Sequence, residues 1–278
     1  NAWEAGQRLA STLILYAASE IAAGRAPQWP QSFVAACRRL LQTQAERGAA
    51  FVAEALTLPG ESTLAELLDQ VDPDALHAAR NALRRHLAEE LEGEFSGLYA
   101  GLTAKAPYAP TSEQASQRAL RNTCLSYLLE LDTDATRQLA YAQFKQADNM
   151  TDQFAALAAL ANVNAAVCPQ REQALAEFYD KWKDEALVVD KWLVAQSTSR
   201  RPDTLATVKA LTRHPAFDAG NPNKIYALIR SFGANLVRFN AADILARRGD
   251  RDARLAFEDV LQTGTPHQRA SAARRCCS

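Results

Sequence analysis

Residues 72–98, DPDALHAARNALRRHLAEELEGEFSGL, contain the clearest evidence for the fold class of this chain. Five leucines advance by sevens and fours, which places them on one stripe of a helix. They are Leu76, Leu83, Leu87, Leu91 and Leu98. Asp72 before Pro73 is a typical helix start, because aspartate caps a free amide and proline needs no donor at the first helical position. We therefore predict one long amphipathic helix here.

The same helical spacing recurs along the rest of the chain, and sustained strand-type alternation is absent. The further stripes are Leu120, Cys124, Leu128 and Leu131; Phe154, Leu157 and Leu160; Leu175, Phe178 and Trp182; Leu205, Val208 and Leu211; and Ile225, Leu228, Phe232 and Leu236. Successive helix pairs follow one another at roughly 35–45 residues, the size of a solenoid unit. We predict an all-α fold, an irregular α-solenoid of about a dozen helices in armadillo/HEAT-like pairs.

Several helix starts are also marked by capping residues. Asn221 precedes Pro222, as Asp72 precedes Pro73. Thr63 with Glu66, and Thr111 with Gln114, have the spacing of a capping box. The sequence therefore predicts helix starts at all four places.

Composition and charge exclude several classes of function. The net charge of the 278 residues is −1, which gives no electrostatic reason to expect nucleic acid or an anionic membrane as a partner. Apolar runs fall far short of the ~20 residues of a membrane span, and Trp3, Glu4 and Arg8 interrupt any signal peptide. The five cysteines form no C-x-x-C pair, so we expect a reducing, cytoplasmic location.

Residues that could carry catalysis or bind a metal do not form any known motif. None of the four histidines lies in H-E-x-x-H, and no two of them are spaced i, i+4. His77 and His86 are expected on a solvated helix surface, and His214 is expected to cover carbonyls at a helix end. We therefore predict no catalytic residue, no metal ligand and no cofactor in this chain.

Six segments carry a family resemblance. In chain order they are Trp3-Glu4-Ala5-Gly6-Gln7; Glu54-Ala55-Leu56-Thr57-Leu58-Pro59 with Ala65-Glu66-Leu67 and Asp72-Pro73; Arg118-Ala119-Leu120-Arg121-Asn122 with Cys124 and Leu125; Ala147-Asp148-Asn149-Met150-Thr151-Asp152; Tyr179-Asp180-Lys181-Trp182 with Val189-Asp190-Lys191-Trp192; and Asn221-Pro222-Asn223-Lys224-Ile225. With these segments the chain resembles the C-terminal helical domain of proteobacterial aminopeptidase N, a zinc metallopeptidase family of the gluzincin class. A purely structural role also explains the segments: in the two Asp-Lys-Trp turns, indoles would anchor a core while Asp and Lys face water.

The resemblance implies a non-catalytic role. In such enzymes zinc is held by a preceding catalytic domain, and the helical domain closes over the active site as a chamber that limits access to short or unfolded peptides. The partners would be the enzyme's own N-terminal catalytic domains and peptide substrates, and this chain alone should be inactive. The alternative is a free-standing helical-repeat scaffold that binds peptides or proteins, and an upstream H-E-x-x-H would decide between the two.

A candidate lining of that chamber lies in the last of the six segments. Its residues are Asn221, Asn223, Lys224, Tyr226 and Arg230. Unpaired amides at the helix start, together with Lys224 and Arg230, could attract the C-terminal carboxylate of a peptide. The family tends to carry arginine where Tyr226 stands, and the two cations could equally be ordinary exposed helix charges.

The resemblance ends near residue 240. We therefore predict an incomplete family domain over residues 1–240 and a divergent Arg-rich tail over residues 241–278. A shifted reading frame or a truncation in the source gene would explain the tail, and a basic tail that binds an acidic partner is the alternative. The missing helices would leave apolar solenoid surface uncapped.

Overall fold

A computed structural model describes residues 2–69, 71–103 and 107–233 of the chain. Within these ranges all regular structure is helical, so the all-α prediction is confirmed. No helix in the described ranges is both long and apolar enough to cross a membrane. The predicted boundary at residue 240 and the tail after it lie outside the described residues.

The first half of the chain forms seven of the helices described. They are α1 Ala2–Ala22, α2 Gln31–Gln42, α3 Gln44–Arg47, α4 Ala49–Ala55, α5 Glu61–Ala65, α6 Pro73–Glu90 and α7 Glu92–Gly101.

The second half contains eight α-helical segments with short 3-10 and π turns between them. They are α8 Ser112–Leu128, the 3-10 turn Leu129–Leu131, α9 Asp134–Gln146, α10 Met150–Leu160, the 3-10 turn Ala165–Val167, α11 Pro169–Trp182, α12 Ala186–Ser197, α13 Thr204–Leu211, α14 Pro222–Ile225, the π turn Tyr226–Arg230 and α15 Ser231–Gly233.

Helices that are close in sequence pack against one another, as an α-solenoid requires. α1 and α4 are exceptions, since they pack on α6 and α8 respectively, whereas α7 packs on α8 and α8 continues onto α10. From there α9, α10, α11 and α12 contact one another in turn, and α12 packs against α13 and the π turn. The α-solenoid prediction is therefore confirmed along the described chain.

Aromatic side chains connect neighbouring layers of the core. Phe95 of α7 stacks on Tyr127 of α8 with ring centroids 4.7 Å apart. Phe178 of α11 lies 6.5 Å from Phe144 and 6.4 Å from Phe154, which joins α9, α10 and α11. Stacked and tilted arrangements of this kind add to the free energy of burying the rings.

The long helix predicted over residues 72–98 is two helices. α6 ends at Glu90, Leu91 adopts φ −121° and ψ 18°, and α7 begins at Glu92. Gly93 and Gly97 weaken a helix at this point, and the break lets Phe95 turn onto α8. Leu76, Leu83, Leu87 and Leu91 are fully buried as predicted, whereas Leu98 is only partly buried.

Three of the four predicted helix starts are confirmed by a side-chain cap. The Asp72, Thr111 and Asn221 side chains accept hydrogen bonds from the amides of Ala75, Gln114 and Asn223 respectively. The prediction at Thr63 is wrong, because α5 begins at Glu61 after Gly60 and has no side-chain cap.

Candidate functional site

The predicted lining segment lies in a continuous helical stretch, α14 followed by the π turn and α15. The expectation of unpaired amides at its start is wrong. Asn221 Oδ1 accepts from the amide of Asn223 at 3.0 Å, and the Asn221 carbonyl accepts from the amides of Lys224 and Ile225. Pro222 has no amide proton to offer. The backbone amides at this helix start are therefore already hydrogen-bonded within the cap and are not free to bind a peptide carboxylate.

Lys224 is not a free cation either. Its side chain is buried, with the residue 8% exposed. Lys224 Nζ donates to the carbonyl of Ala186 at 2.9 Å and lies 2.8 Å from Asp190 Oδ1. This ion pair joins α14 to α12, so the expectations that Asp190 faces water and that Lys224 attracts a ligand are both wrong. A buried charge persists in this way when its partner neutralises it.

The other predicted lining residues remain accessible. Asn223 and Arg230 are exposed, and Asn221 and Tyr226 are partly buried. The Arg230 guanidinium lies over the Tyr226 ring, 5.3 Å from the ring centroid. This contact stabilises the cation, and the N–H groups at the edge of the guanidinium can still donate hydrogen bonds. The role of these four residues in a chamber stays a prediction.

The helix is widened within the predicted segment. Residues Tyr226–Arg230 form a π turn, which breaks the regular i to i−4 pairing. Ser197 of α12 donates from Oγ to the carbonyl of Ala227 at 3.1 Å, and Ser231 donates to the carbonyl of Tyr226 at 3.0 Å. Single π turns inside helices are frequent at functional sites, so the local geometry fits a segment that does more than fill the core.

A second polar feature, a cleft of about 640 Å³, lies between α6, the turn at Leu129–Leu131, the end of α10 and the loop after α12. Its floor is Glu130, which accepts from Arg84 Nε at 2.6 Å and from Arg200 Nη1 at 3.2 Å. Arg200 Nη1 also donates to Asn81 Oδ1 at 3.1 Å. The sequence does not predict this cleft, because the residues that line it lie far apart in the chain and share no local pattern.

Two opposing effects act on the carboxyl of Glu130. Burial alone would raise its pKa, but the charges and hydrogen bonds of Arg200 and Arg84 outweigh burial. The pKa of Glu130 therefore lies below its ordinary value, and the carboxylate stays ionised at neutral pH. The ion pairs of Glu130 thus connect α6 with the loop after α12.

The histidines contact protein groups more closely than the sequence predicts. His77 Nδ1 lies 2.7 Å from Glu61 Oε1, and Asn81 Nδ2 lies 2.8 Å from His77 Nε2. His86 is partly buried beside Trp29, so the solvated-surface prediction is wrong for both. His214 Nδ1 accepts from the amide of Ala216 at 3.0 Å, instead of covering carbonyls.

The described residues do not fit a resident zinc ion. No group of three or more His, Cys, Asp or Glu side chains in the described ranges could hold a metal. Burial raises the pKa of the Cys37 thiol to about 11 and that of Cys124 to about 12, so neither is a ready thiolate at neutral pH.

The segments that carry the family resemblance contact one another in pairs. Gln7 Nε2 of the first segment donates to the carbonyl of Thr57 in the second at 2.8 Å. Asn122 Nδ2 of the third donates to Asp152 Oδ1 of the fourth at 2.9 Å. Asp190 and Lys224 join the fifth and sixth. These contacts therefore hold helices together, although the predicted orientation of Asp190 toward water is wrong.

Comparison with known proteins agrees with the resemblance. A family described as "Domain of unknown function (DUF3458_C) ARM repeats" matches residues 1–245. Aminopeptidase N of Escherichia coli K12 is 38% identical over 242 residues, which cover 87% of this chain and 27% of that protein. Aminopeptidase N of Caulobacter vibrioides is 36% identical over 241 residues, covering 86% of this chain and 27% of that protein.

A solved structure shows the same fold. The crystal structure of Legionella pneumophila aminopeptidase A in complex with aspartic acid aligns with a TM-score of 0.79 at 30% sequence identity. The alignment covers 97% of this chain and 31% of that one. The chain thus spans only about a quarter to a third of the proteins that it resembles, and the part it matches is their C-terminal part.

Proposed function

The chain belongs to the DUF3458_C family of ARM-repeat domains and corresponds to the C-terminal helical domain of aminopeptidase N, and from this premise we propose that it is the non-catalytic domain of a zinc-dependent aminopeptidase. Such an enzyme removes N-terminal residues from peptides. The observation that carries the proposal is the match of 87% of this chain to only 27% of aminopeptidase N. The catalytic zinc would be held by the remainder of the enzyme, since H-E-x-x-H is absent from the present sequence.

The contribution of this chain is to enclose the active-site chamber and to limit access to it. Stacked helix pairs form curved surfaces suited to such a wall. Enclosure keeps bulk water and folded proteins away from the active site, where a zinc ion held by the remainder of the enzyme would activate water for peptide hydrolysis. The partners are the enzyme's own catalytic domains and its peptide substrates, and the compartment is the cytoplasm.

Within this wall, Asn223, Tyr226 and Arg230 line the chamber, with Asn221 as the cap that positions them. The support is their accessibility and the π turn that carries two of them. Arg230 supplies the cation for the C-terminal carboxylate of a peptide. Lys224 contributes indirectly, by fixing α14 on α12 through Asp190.

The role of the lining residues is tested in the longer enzyme that contains this chain. Arg230→Gln should raise the KM for a free tetrapeptide at least about threefold and leave the KM for a small chromogenic amide unchanged, because only the peptide carries a carboxylate within reach. Arg213→Gln, at an exposed position before His214, serves as the matched control. Unchanged peptide kinetics in Arg230→Gln would rule out the lining role.

A complementary assay uses this chain alone. It should not release alanine or leucine from a chromogenic amide, whether or not zinc is added. Release above background that co-purifies with the chain would overturn the non-catalytic assignment.

A further inference from the structure

One face of α1 is exposed and carries two large apolar side chains. Ala10, Ile14 and Ala17 point into the core, where α1 packs on α6 and α4. Ala5, Leu9, Thr12 and Tyr16 follow the spacing 4, 3, 4 and form a second, exposed stripe beside the core-facing one. Leu9 is 46% exposed and Tyr16 is 54% exposed. We call these four residues the outer stripe of α1.

The outer stripe stands out from the rest of the described surface. Among the described residues seven large apolar side chains are exposed, and two of them, Leu9 and Tyr16, belong to the outer stripe. A shallow depression runs along the same side, lined by Glu4, Ala5, Arg8, Leu9 and Thr12. Glu4 and Arg8 form an ion pair of 2.9 Å at its edge. An apolar strip with a charged rim is typical of a contact surface.

The position of α1 in the fold indicates what covers the stripe. α1 is the first layer of the stack, and the terminal layer of a solenoid needs a polar outer face or a partner. Its exposed face carries the large apolar side chains of Leu9 and Tyr16 beside the polar Glu4, Arg8 and Thr12. The relatives that match over 87% and 86% of this chain extend far beyond it, since the match covers only 27% of each, and the part they share with this chain is their C-terminal part.

We propose that the outer stripe of α1 is the docking surface for the preceding, catalytic part of the longer enzyme. This inference rests on the proposed function and adds to it the surface that joins wall and catalytic part. Leu9 and Tyr16 are the central contacts, Ala5 and Thr12 let the partner approach closely, and the Glu4–Arg8 pair forms the rim. Tyr16 provides apolar area and keeps a hydroxyl to pair with a polar group at the edge of the contact.

The test measures the reactivity of a thiol placed on the stripe. Leu9→Cys is made both in this chain and in the longer protein encoded by the same gene, with Cys276 and Cys277 replaced by serine. Maleimide labelling at position 9 is followed by mass spectrometry of its tryptic peptide, so other thiols do not interfere. Leu187→Cys is the control, because Leu187 of α12 is an exposed apolar residue far from α1 in the stack.

The expected result is slower labelling at position 9 in the longer protein than in this chain alone, by at least about tenfold after normalisation to position 187. Equal normalised rates in the two proteins would overturn the proposal. Protection in the short chain that grows with its concentration would assign the stripe to a second copy and would overturn it as well. Aminopeptidase activity of the longer protein is measured separately, so failure of the docking surface is distinguishable from failure of the proposed function.

Discussion

A lysine at position 224 holds two helices together with its buried charge. Its ammonium group is neutralised by Asp190 and receives a second contact from the carbonyl of Ala186. When one partner of a buried ion pair is removed, the other charge stays buried without a counter-charge. The free-energy cost of that unpaired charge is larger than the net stability that the intact pair contributes. The contact therefore fixes the position of α14 more than it adds to stability.

Asp190→Ala should lower the free energy of unfolding by about 3 kcal/mol, because Lys224 would remain buried without its counter-charge. Urea denaturation followed by circular dichroism measures the change. Asp184→Ala removes an exposed carboxylate near the start of the same helix and should change the free energy by less than about 0.5 kcal/mol. If the two substitutions change the free energy of unfolding equally, Asp190 does not neutralise the buried charge of Lys224.

Glu130 gives the fold a pH dependence whose sign follows from its lowered pKa. A carboxyl with a depressed pKa in the folded state stabilises the fold above its unfolded pKa of about 4.3 and loses that contribution as the pH falls through the folded value. The stability difference between the wild type and Glu130→Gln should therefore be largest near neutral pH and shrink below about pH 4. Urea denaturation between pH 7 and pH 3.5 measures it. Glu89→Gln, at an exposed position, is the control and should differ little from the wild type in free energy of unfolding at every pH. If the difference between the wild type and Glu130→Gln grows as the pH falls, the lowered pKa of Glu130 is contradicted.

Among the helical elements, the π turn is contacted by a side chain from the neighbouring α12. Ser197 of α12 donates to the carbonyl of Ala227, which lies inside the π turn. Ser197→Ala should lower the free energy of unfolding by about 1–2 kcal/mol, because a buried carbonyl would lose its donor. Thr198→Ala, next to it and exposed, is the control for urea denaturation. A cost no greater than that of the control would show that the turn does not need Ser197.

Local features of the elements could be predicted where the signal lies within one turn of the chain. Asp72, Thr111 and Asn221 all cap the helices that their spacing indicates. The capping box of α9, formed by Thr133 and Thr136, was missed because threonine is not the usual partner at that position. The break at Leu91 was missed because the leucine stripe continues through it, whereas packing on α8 sets the new direction of α7.

At the scale of the whole molecule, regular apolar spacing was sufficient to predict an all-α solenoid. The arrangement of its polar groups was not predictable in the same way. Glu130, Arg84 and Arg200 form one network from three separate regions of the chain, and nothing in their local sequence distinguishes them from surface charges. Lys224 is a similar case, since its burial depends on Asp190 more than thirty residues earlier.

The central claim is that this helical chain forms the wall of an aminopeptidase whose zinc lies in another part of the enzyme. The measurement that tests it most directly is the activity of the protein produced from the complete reading frame that contains residues 1–233. We expect an upstream H-E-x-x-H and release of N-terminal alanine from peptides, with activity lost on zinc chelation and restored by zinc. A reading frame that encodes no such motif, or a complete protein that leaves peptide N-termini intact, would contradict it.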